Sequence, residues 1–245
     1  MRLNRFLSLA GVTSRRKADL LIKAGRVEVN GKRIKSLGAS IDENQDQVKI
    51  DGARVKLKKN FIYLLLNKPK GFLTTTRDDF KRSLVLDLIS GIKERIFPVG
   101  RLDCNTQGVL LLTNDGDLTY RLTHPRFQVP KVYKVEVKGK VLENRIKGLK
   151  RGIRLENGSL AKGEAKILNR TNEKTTLKLK LNEGKKREVK RIFKALGYKV
   201  ENLERLSFAG ITAEGLKSGE WRNLFPKEVL TLKKMTSFKE GKDIR

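Results

Sequence analysis

Only carboxylates, hydroxyls and cations are available for chemistry in this chain, because Cys104 is its single cysteine and His124 its single histidine. An intramolecular disulfide and a Cys/His zinc site are both excluded. Among the carboxylates, Asp103 has the most suggestive setting. Phe97-Pro98-Val99-Gly100-Arg101-Leu102-Asp103 leads through Asn105-Thr106-Gln107-Gly108 into the apolar run Val109 to Leu112. An aspartate in a glycine-bearing loop between apolar segments suits either catalysis or turn formation, and turn chemistry alone favours the second. The run ends at Asn114-Asp115-Gly116-Asp117, a strong turn signal.

Two later segments carry aromatic and cationic side chains in patterns that could serve such a carboxylate. Lys131 to Lys138 alternates strictly, which places Tyr133, Val135 and Val137 on one face of a strand. Taken alone, Tyr133 there is a core tyrosine. After the alternating strand Leu177 to Leu181, Val189, Ile192, Phe193 and Leu196 form an apolar helical stripe, and Gly197 suits the helix end. Arg187, Lys190, Arg191 and Lys194 repeat the same spacing shifted by two positions, about 200° around the axis. Lys185 to Lys194 holds six cations and one acid, Glu188, whereas a merely solvated face would mix its signs.

These segments must be positioned by a folded chain. With 245 residues, 38% hydrophobic composition and regular apolar spacing, the sequence supports two domains with real cores. Its net charge of +29 exceeds what solubility requires and points to a polyanionic partner. No apolar run approaches the roughly 18 residues of a spanning helix, and the first residues lack the apolar stretch of a signal peptide. A cytoplasmic protein with no membrane partner is expected.

Leu3, Phe6, Leu7 and Ala10 mark a first short helix stopped by Gly11; Ser14 can cap a second, carrying Ala18, Leu21 and Ile22 and ended by Gly25. Val27-Glu28-Val29 then reads as a strand turned back by Asn30-Gly31. Arg15, Arg16 and Lys17 occupy the first turn of the second helix, where the macrodipole disfavours cations. Either they form a solvated basic face or a phosphate compensates them. Beyond the basic stretch Lys56 to Asn60, the run Phe61 to Leu66 reads as a buried strand that ends at Asn67-Lys68-Pro69-Lys70-Gly71. The expected division is a small domain over 1–58, a larger one over 59–235 that closes on a short helix opened by Pro226, and a polar tail over 236–245.

Motif resemblances sharpen this reading. Arg2-Leu3-Asn4-Arg5-Phe6-Leu7, Ala10 to Arg16 and Gly25 to Gly31 resemble the alpha-L RNA-binding domain of a small-subunit ribosomal protein and several RNA-modifying enzymes. Lys68-Pro69-Lys70-Gly71, the block from Gly100 to Gly116, and Glu183 to Phe193 resemble the RsuA/RluB family of ribosomal RNA pseudouridine synthases. The resemblance implies an α+β fold: the small RNA-binding domain on a flexible basic linker, then a mixed, mainly antiparallel sheet with helices packed on it and a cleft across one face. It implies Asp103 as catalytic carboxylate, Tyr133 stacked on the target base, and Lys190, where many relatives carry arginine, paired with Asp103. Lysine keeps the charge but loses the bidentate fork, so a looser pair is expected. Cys104 reads as a small filler.

The resemblance further implies that Arg101 helps to hold the target nucleotide out of its helix. Arg2, Arg5, Arg15, Arg16, Lys17, Arg187 and Arg191 are expected to bind RNA, and neither cofactor nor metal is expected. Ribosomal RNA or a subunit assembly intermediate is the expected partner of a monomeric enzyme. The stretch Gly215 to Leu224 looks more like large-subunit members, which favours 23S over 16S RNA. The rivals are a non-catalytic RNA-binding or ribosome-assembly protein, which has no need of a carboxylate amid positive charge, and an aspartate-dependent hydrolase, which needs a metal or a paired acid.

Overall fold

Helical spacing of apolar residues builds the N-terminal part of the chain. The computed structural model describes residues 1–57 and 60–237, and divides them into two units. Unit one comprises residues 1–62 with 92–96 and 114–116, and unit two the remainder. In unit one, Leu3, Phe6 and Leu7 are buried on α1 (Leu3–Leu9), and Ala18 and Ile22 on α2 (Arg15–Lys23). Ser14 Oγ accepts the Lys17 N–H and caps α2. Strands β1 (Val27–Val29), β2 (Lys32–Ile34), β3 (Val48–Ile50) and β4 (Ala53–Val55) form an antiparallel sheet in the order β2-β1-β3-β4. Asn30-Gly31 and Asp51-Gly52 both turn with two positive φ values, the conformation of tight hairpins. Val27, Ile41 and Val48 complete the core beneath the helices.

Unit two is one large sheet with helices packed on it. In chain order it contains β5 (Tyr63–Lys68), β6 (Phe97–Pro98), β7 (Gln107–Thr113), β8 (Lys131–Lys138), β9 (Ile153–Arg154) and β10 (Leu160–Ala161). There follow β11 (Glu164–Arg170), β12 (Lys174–Leu181), β13 (Val200–Phe208), β14 (Ile211–Thr212) and β15 (Trp221–Asn223). Interleaved are α3 (Gly116–Thr123), α4 (Glu143–Lys147), α5 (Glu188–Ala195) and α6 (Pro226–Met235). The sheet has nine strands in the order β11-β12-β8-β13-β7-β5-β15, with β14 on β13 and β6 on β7, while β9 and β10 pair separately. Every pairing is antiparallel except β13 with β7. Leu65, Val109 and Leu111 pack with Leu118 and Leu122 of α3 and Leu232 of α6. No helix among the described residues is long and apolar enough to cross a membrane.

The architecture is α+β, with the mainly antiparallel sheet that the alternating strands implied. Three local readings change. Strand β5 begins at Tyr63, because Phe61 is 44% exposed and lies outside the sheet. Asn114 to Asp117 is a turn that also opens α3, whose Leu118 and Leu122 are buried one helical turn apart. Thr236, assigned to a polar tail on sequence grounds, is fully buried and donates from Oγ1 to Leu232 O at 2.9 Å. Residues 238–245 of that tail, and Lys58 and Lys59 of the basic linker, lie outside the described residues.

The parallel junction depends on one glycine. Gly108 pairs with Arg205 at φ +102°, and a Cβ there would stand 2.3 Å from Arg205 O. Positive φ and a backbone clash together cost about 3 kcal/mol or more. Gly108→Ala should lower the melting temperature by roughly 6–12 °C on that basis. An unchanged melt would show that β7 and β13 can separate freely.

Candidate active site

Strand β5 delivers a lysine into the interior, and that lysine organises the Asp103 loop. Lys68 is fully buried, and its Nζ donates to Pro69 O and Thr106 O at 2.9 Å each, Cys104 O at 3.2 Å and Asp103 O at 3.4 Å. Three ammonium protons shared among four carbonyls fix the backbone without touching the aspartate side chain. Thr74 secures the preceding residue, donating to Leu102 O at 2.8 Å and accepting the Leu102 N–H at 3.3 Å. Thr106 N donates to Asp103 O and Gly71 N to Cys104 O, both at 3.0 Å. Asp103 therefore serves a turn through its backbone and leaves its carboxylate for other work.

That carboxylate faces a cleft of about 110 Å³ within unit two. Lys190 Nζ, from the first turns of α5, stands 3.4 Å from Asp103 Oδ2, longer than the 2.7–2.9 Å of a tight charge-assisted hydrogen bond. Tyr133 lines the same cleft, buried on β8 beside Arg205 of β13. Arg101 and Arg187 are exposed at its margin, the latter held at φ +51° as α5 begins. A wider groove of about 580 Å³ shares the Asp103 loop and is lined by Arg77, Arg82, Arg101, Lys185, Lys186 and Arg187, with Asp78 the only acid besides Asp103. A cationic groove adjoins a cleft lined by two carboxylates, the buried Glu188 and the partly exposed Asp103 beside Lys190, an arrangement suited to a polyanionic ligand.

The family described as RNA pseudouridylate synthase matches residues 62–195, a stretch that contains Asp103, Tyr133 and Lys190. The chain belongs to this family. The S4 domain matches residues 1–46. An Aquifex aeolicus protein called an uncharacterized RNA pseudouridine synthase is 44% identical over 98% of this chain and 96% of its own length. The ribosomal large subunit pseudouridine synthase B of Bacillus subtilis is 42% identical over 95% of each. The crystal structure of a pseudouridylate synthase superposes with a TM-score of 0.70 at 28% identity, over 95% of this chain and 99% of that one. The RsuA/RluB resemblance read from the motifs stands.

In this synthase the remaining cations singled out in the sequence are not among the residues that line the cleft. Arg191 Nε is 3.8 Å from Glu156 Oε1, and Lys194 Nζ is 2.8 Å from Glu156 Oε2, so part of the cationic face of α5 is neutralised. Arg2, Arg5, Arg15, Arg16 and Lys17 belong to unit one, where Arg15, Arg16 and Lys17 are exposed in the first turn of α2, a turn that contains no acid. Sequence reasoning named Lys68, Lys131 and Glu188 without giving them a role, and passed over Thr74 and Arg205. Lys131 carried a usable signal, because period-two alternation puts it on the face of Tyr133.

Two of these buried lysines make stability depend on pH. Burial brings both ammonium groups down from an ordinary 10.5 to about 8; the Arg205 charge adds to this at Lys131, while Cys104 and Asp103 oppose it at Lys68. The unfolded chain keeps these protons up to 10.5, so between pH 8 and 10.5 it binds more protons than the folded chain. The contribution of these residues to stability therefore rises with pH across that window. Lys131→Met should remove part of this rise, read as a wild-type-minus-variant difference in denaturant midpoints between pH 7 and pH 9.5. A difference independent of pH would show Lys131 titrating alike in both states.

Proposed function

We propose that the chain isomerises a uridine of ribosomal RNA to pseudouridine, with Asp103 as the catalytic residue and large-subunit RNA as the substrate. The observation that carries this reading is a carboxylate fixed by its own backbone at the mouth of a cleft that also holds Tyr133 and Lys190. The B. subtilis relative's name supports the choice of large-subunit RNA. The reaction breaks the N1–C1′ bond, turns the base over and joins C5 to C1′, with the C5 proton lost and N1 protonated. A carboxylate serves either by attacking C1′ or by removing the C2′ proton to give a glycal, and both roles place it against the ribose.

The uridine must leave its stack to reach Asp103. Arg101 at the cleft margin fills the space it vacates, and Tyr133 supports the ring. Lys190 holds the carboxylate in position through their ion pair. Arg187, with Arg2, Arg5, Arg15, Arg16 and Lys17 of the S4 domain, takes the RNA backbone, and Arg191 contributes where Glu156 leaves it free. The enzyme works as a cytoplasmic monomer on RNA or on an assembling subunit. The test is incubation of wild-type protein with 23S and 16S transcripts followed by mapping of pseudouridine. A single modified position in 23S RNA is expected; modification in 16S alone would redirect the substrate, and none in either would favour a binding protein.

A further inference from the structure

The interior of the cleft holds two cations that the reading above leaves without a task. Arg205, on β13, is 3% exposed. Its Nε donates to Val109 O at 2.7 Å, its guanidinium interacts with the Tyr133 hydroxyl, and its Nη2 finds no hydrogen-bond partner among the described residues. Lys131, two residues before Tyr133 on β8, is 7% exposed and donates from Nζ to Val129 O at 2.8 Å. Both charges stand over the Phe208 ring, at 5.4 Å for Lys131 and 4.9 Å for Arg205. Glu188, the buried acid nearest in charge to Lys131, already accepts the Lys185 N–H at 3.0 Å. All of these side chains line the cleft that Asp103 faces.

Two like charges packed together and held out of water oppose folding, and a buried N–H with no acceptor adds to that cost. Such groups are retained in a cleft when a ligand supplies the acceptors. We propose that Arg205 and Lys131 recognise the uracil ring by donating hydrogen bonds to its two carbonyl oxygens. This rests on the reading of the chain as a uridine isomerase. Uracil carries acceptors at both O2 and O4, whereas cytosine replaces O4 with an amino donor that would be set against a cation. The pair therefore admits the one base and rejects the other.

The reaction itself favours two equivalent donors. Cleavage of N1–C1′ leaves the electron pair on the base, spread over N1, O2 and O4, where two desolvated cations stabilise it. Turning the ring about its N3–C6 axis then exchanges N1 with C5 and O2 with O4. Because each cation accepts either carbonyl, the ring is held alike before and after the turn, while C5 comes to face C1′.

The test is single-turnover release of C5 tritium from a modified rRNA fragment carrying either uridine or 4-thiouridine at the target, since sulfur is a weak acceptor. Wild type should lose about 10-fold on the thio substrate, the loss of one hydrogen bond. Lys131→Met and Arg205→Lys should bind RNA within a few-fold of wild type, react about 10²-fold more slowly with uridine, and lose much less on changing to thiouridine. A merely structural role would slow both substrates equally and keep the wild-type ratio, which would overturn the proposal, as would unaltered rates. Lys131→Met relieves charge repulsion and decides the matter if Arg205→Lys fails to fold. Failure of wild type on every rRNA fragment would overturn the isomerase reading and this proposal together, whereas failure of the thio contrast alone overturns only this one.

Discussion

Asp103→Asn is expected to abolish pseudouridine formation, with a single-turnover rate reduced by more than about 10⁴-fold, beyond the loss typical of an assisting acid or base. The structure explains why so large an effect should come without unfolding. Every hydrogen bond that Lys68, Gly71, Thr74 and Thr106 make with the loop ends on backbone atoms of residues 102–106, so an amide at position 103 leaves those anchors intact. The side chain is 37% exposed, and the only ion pair it forms among the described residues is the 3.4 Å contact with Lys190. A pair at that exposure is worth under about 1 kcal/mol. RNA affinity should be unchanged or slightly tighter, because Lys190 loses its anion and faces the phosphates. Tritium release from C5-labelled uridine in rRNA is the measurement, and substantial release by the variant would falsify the assignment of Asp103.

How far the fold could be read from the chain depended on how local its signals were. The helices of unit one and the β1–β2 turn follow from spacings of three and four and from Asn30-Gly31, all within a few residues. Asp51-Gly52 carried the same turn signal and was passed over, although β3 and β4 match β1 and β2 in length and burial. Helix α3 was hidden because eight residues with two buried leucines present too short a period to outweigh the turn signal of Asn114 to Asp117.

The site divides along the same line. Asp103 and Lys190 were picked out because they lie in motif blocks. Lys68, although it opens the quoted motif Lys68-Pro69-Lys70-Gly71, and Arg205 were given no role, because their meaning is tertiary. Lys68 reads as the polar end of an apolar strand until the loop some 35 residues later is folded onto it. Arg205 carries no local signal until β7, about 100 residues earlier, lies parallel to its strand and presents the Val109 carbonyl. A buried cation is legible only once its acceptors are in place.

Binding to RNA should weaken steeply with salt, by of order 10³-fold between 50 and 200 mM for about six phosphate contacts. Six contacts is the number suggested by the exposed cations without an ion pair in two places, the groove beside Asp103 (Arg101, Lys186 and Arg187) and the first turn of α2 (Arg15, Arg16 and Lys17). Arg77, Arg82 and Lys185 are left out of the count because each already holds an acid, Asp79, Asp78 and Glu183 respectively, and must release it before meeting phosphate. Each contact contributes about 0.9 to the slope of log K against log salt on a duplex and about 0.7 on a single strand. Changing Arg15, Arg16 and Lys17 together to glutamine should therefore flatten the slope from about 5 to about 3. The same change should not weaken unit one, because it removes three cations from the positive end of α2, each disfavoured there by about 0.3–1 kcal/mol. A filter-binding titration at five salt concentrations separates the outcomes. A slope unchanged by the triple substitution would place the RNA away from the start of α2, and a flat response in the wild type would remove phosphate contact as the basis of binding altogether.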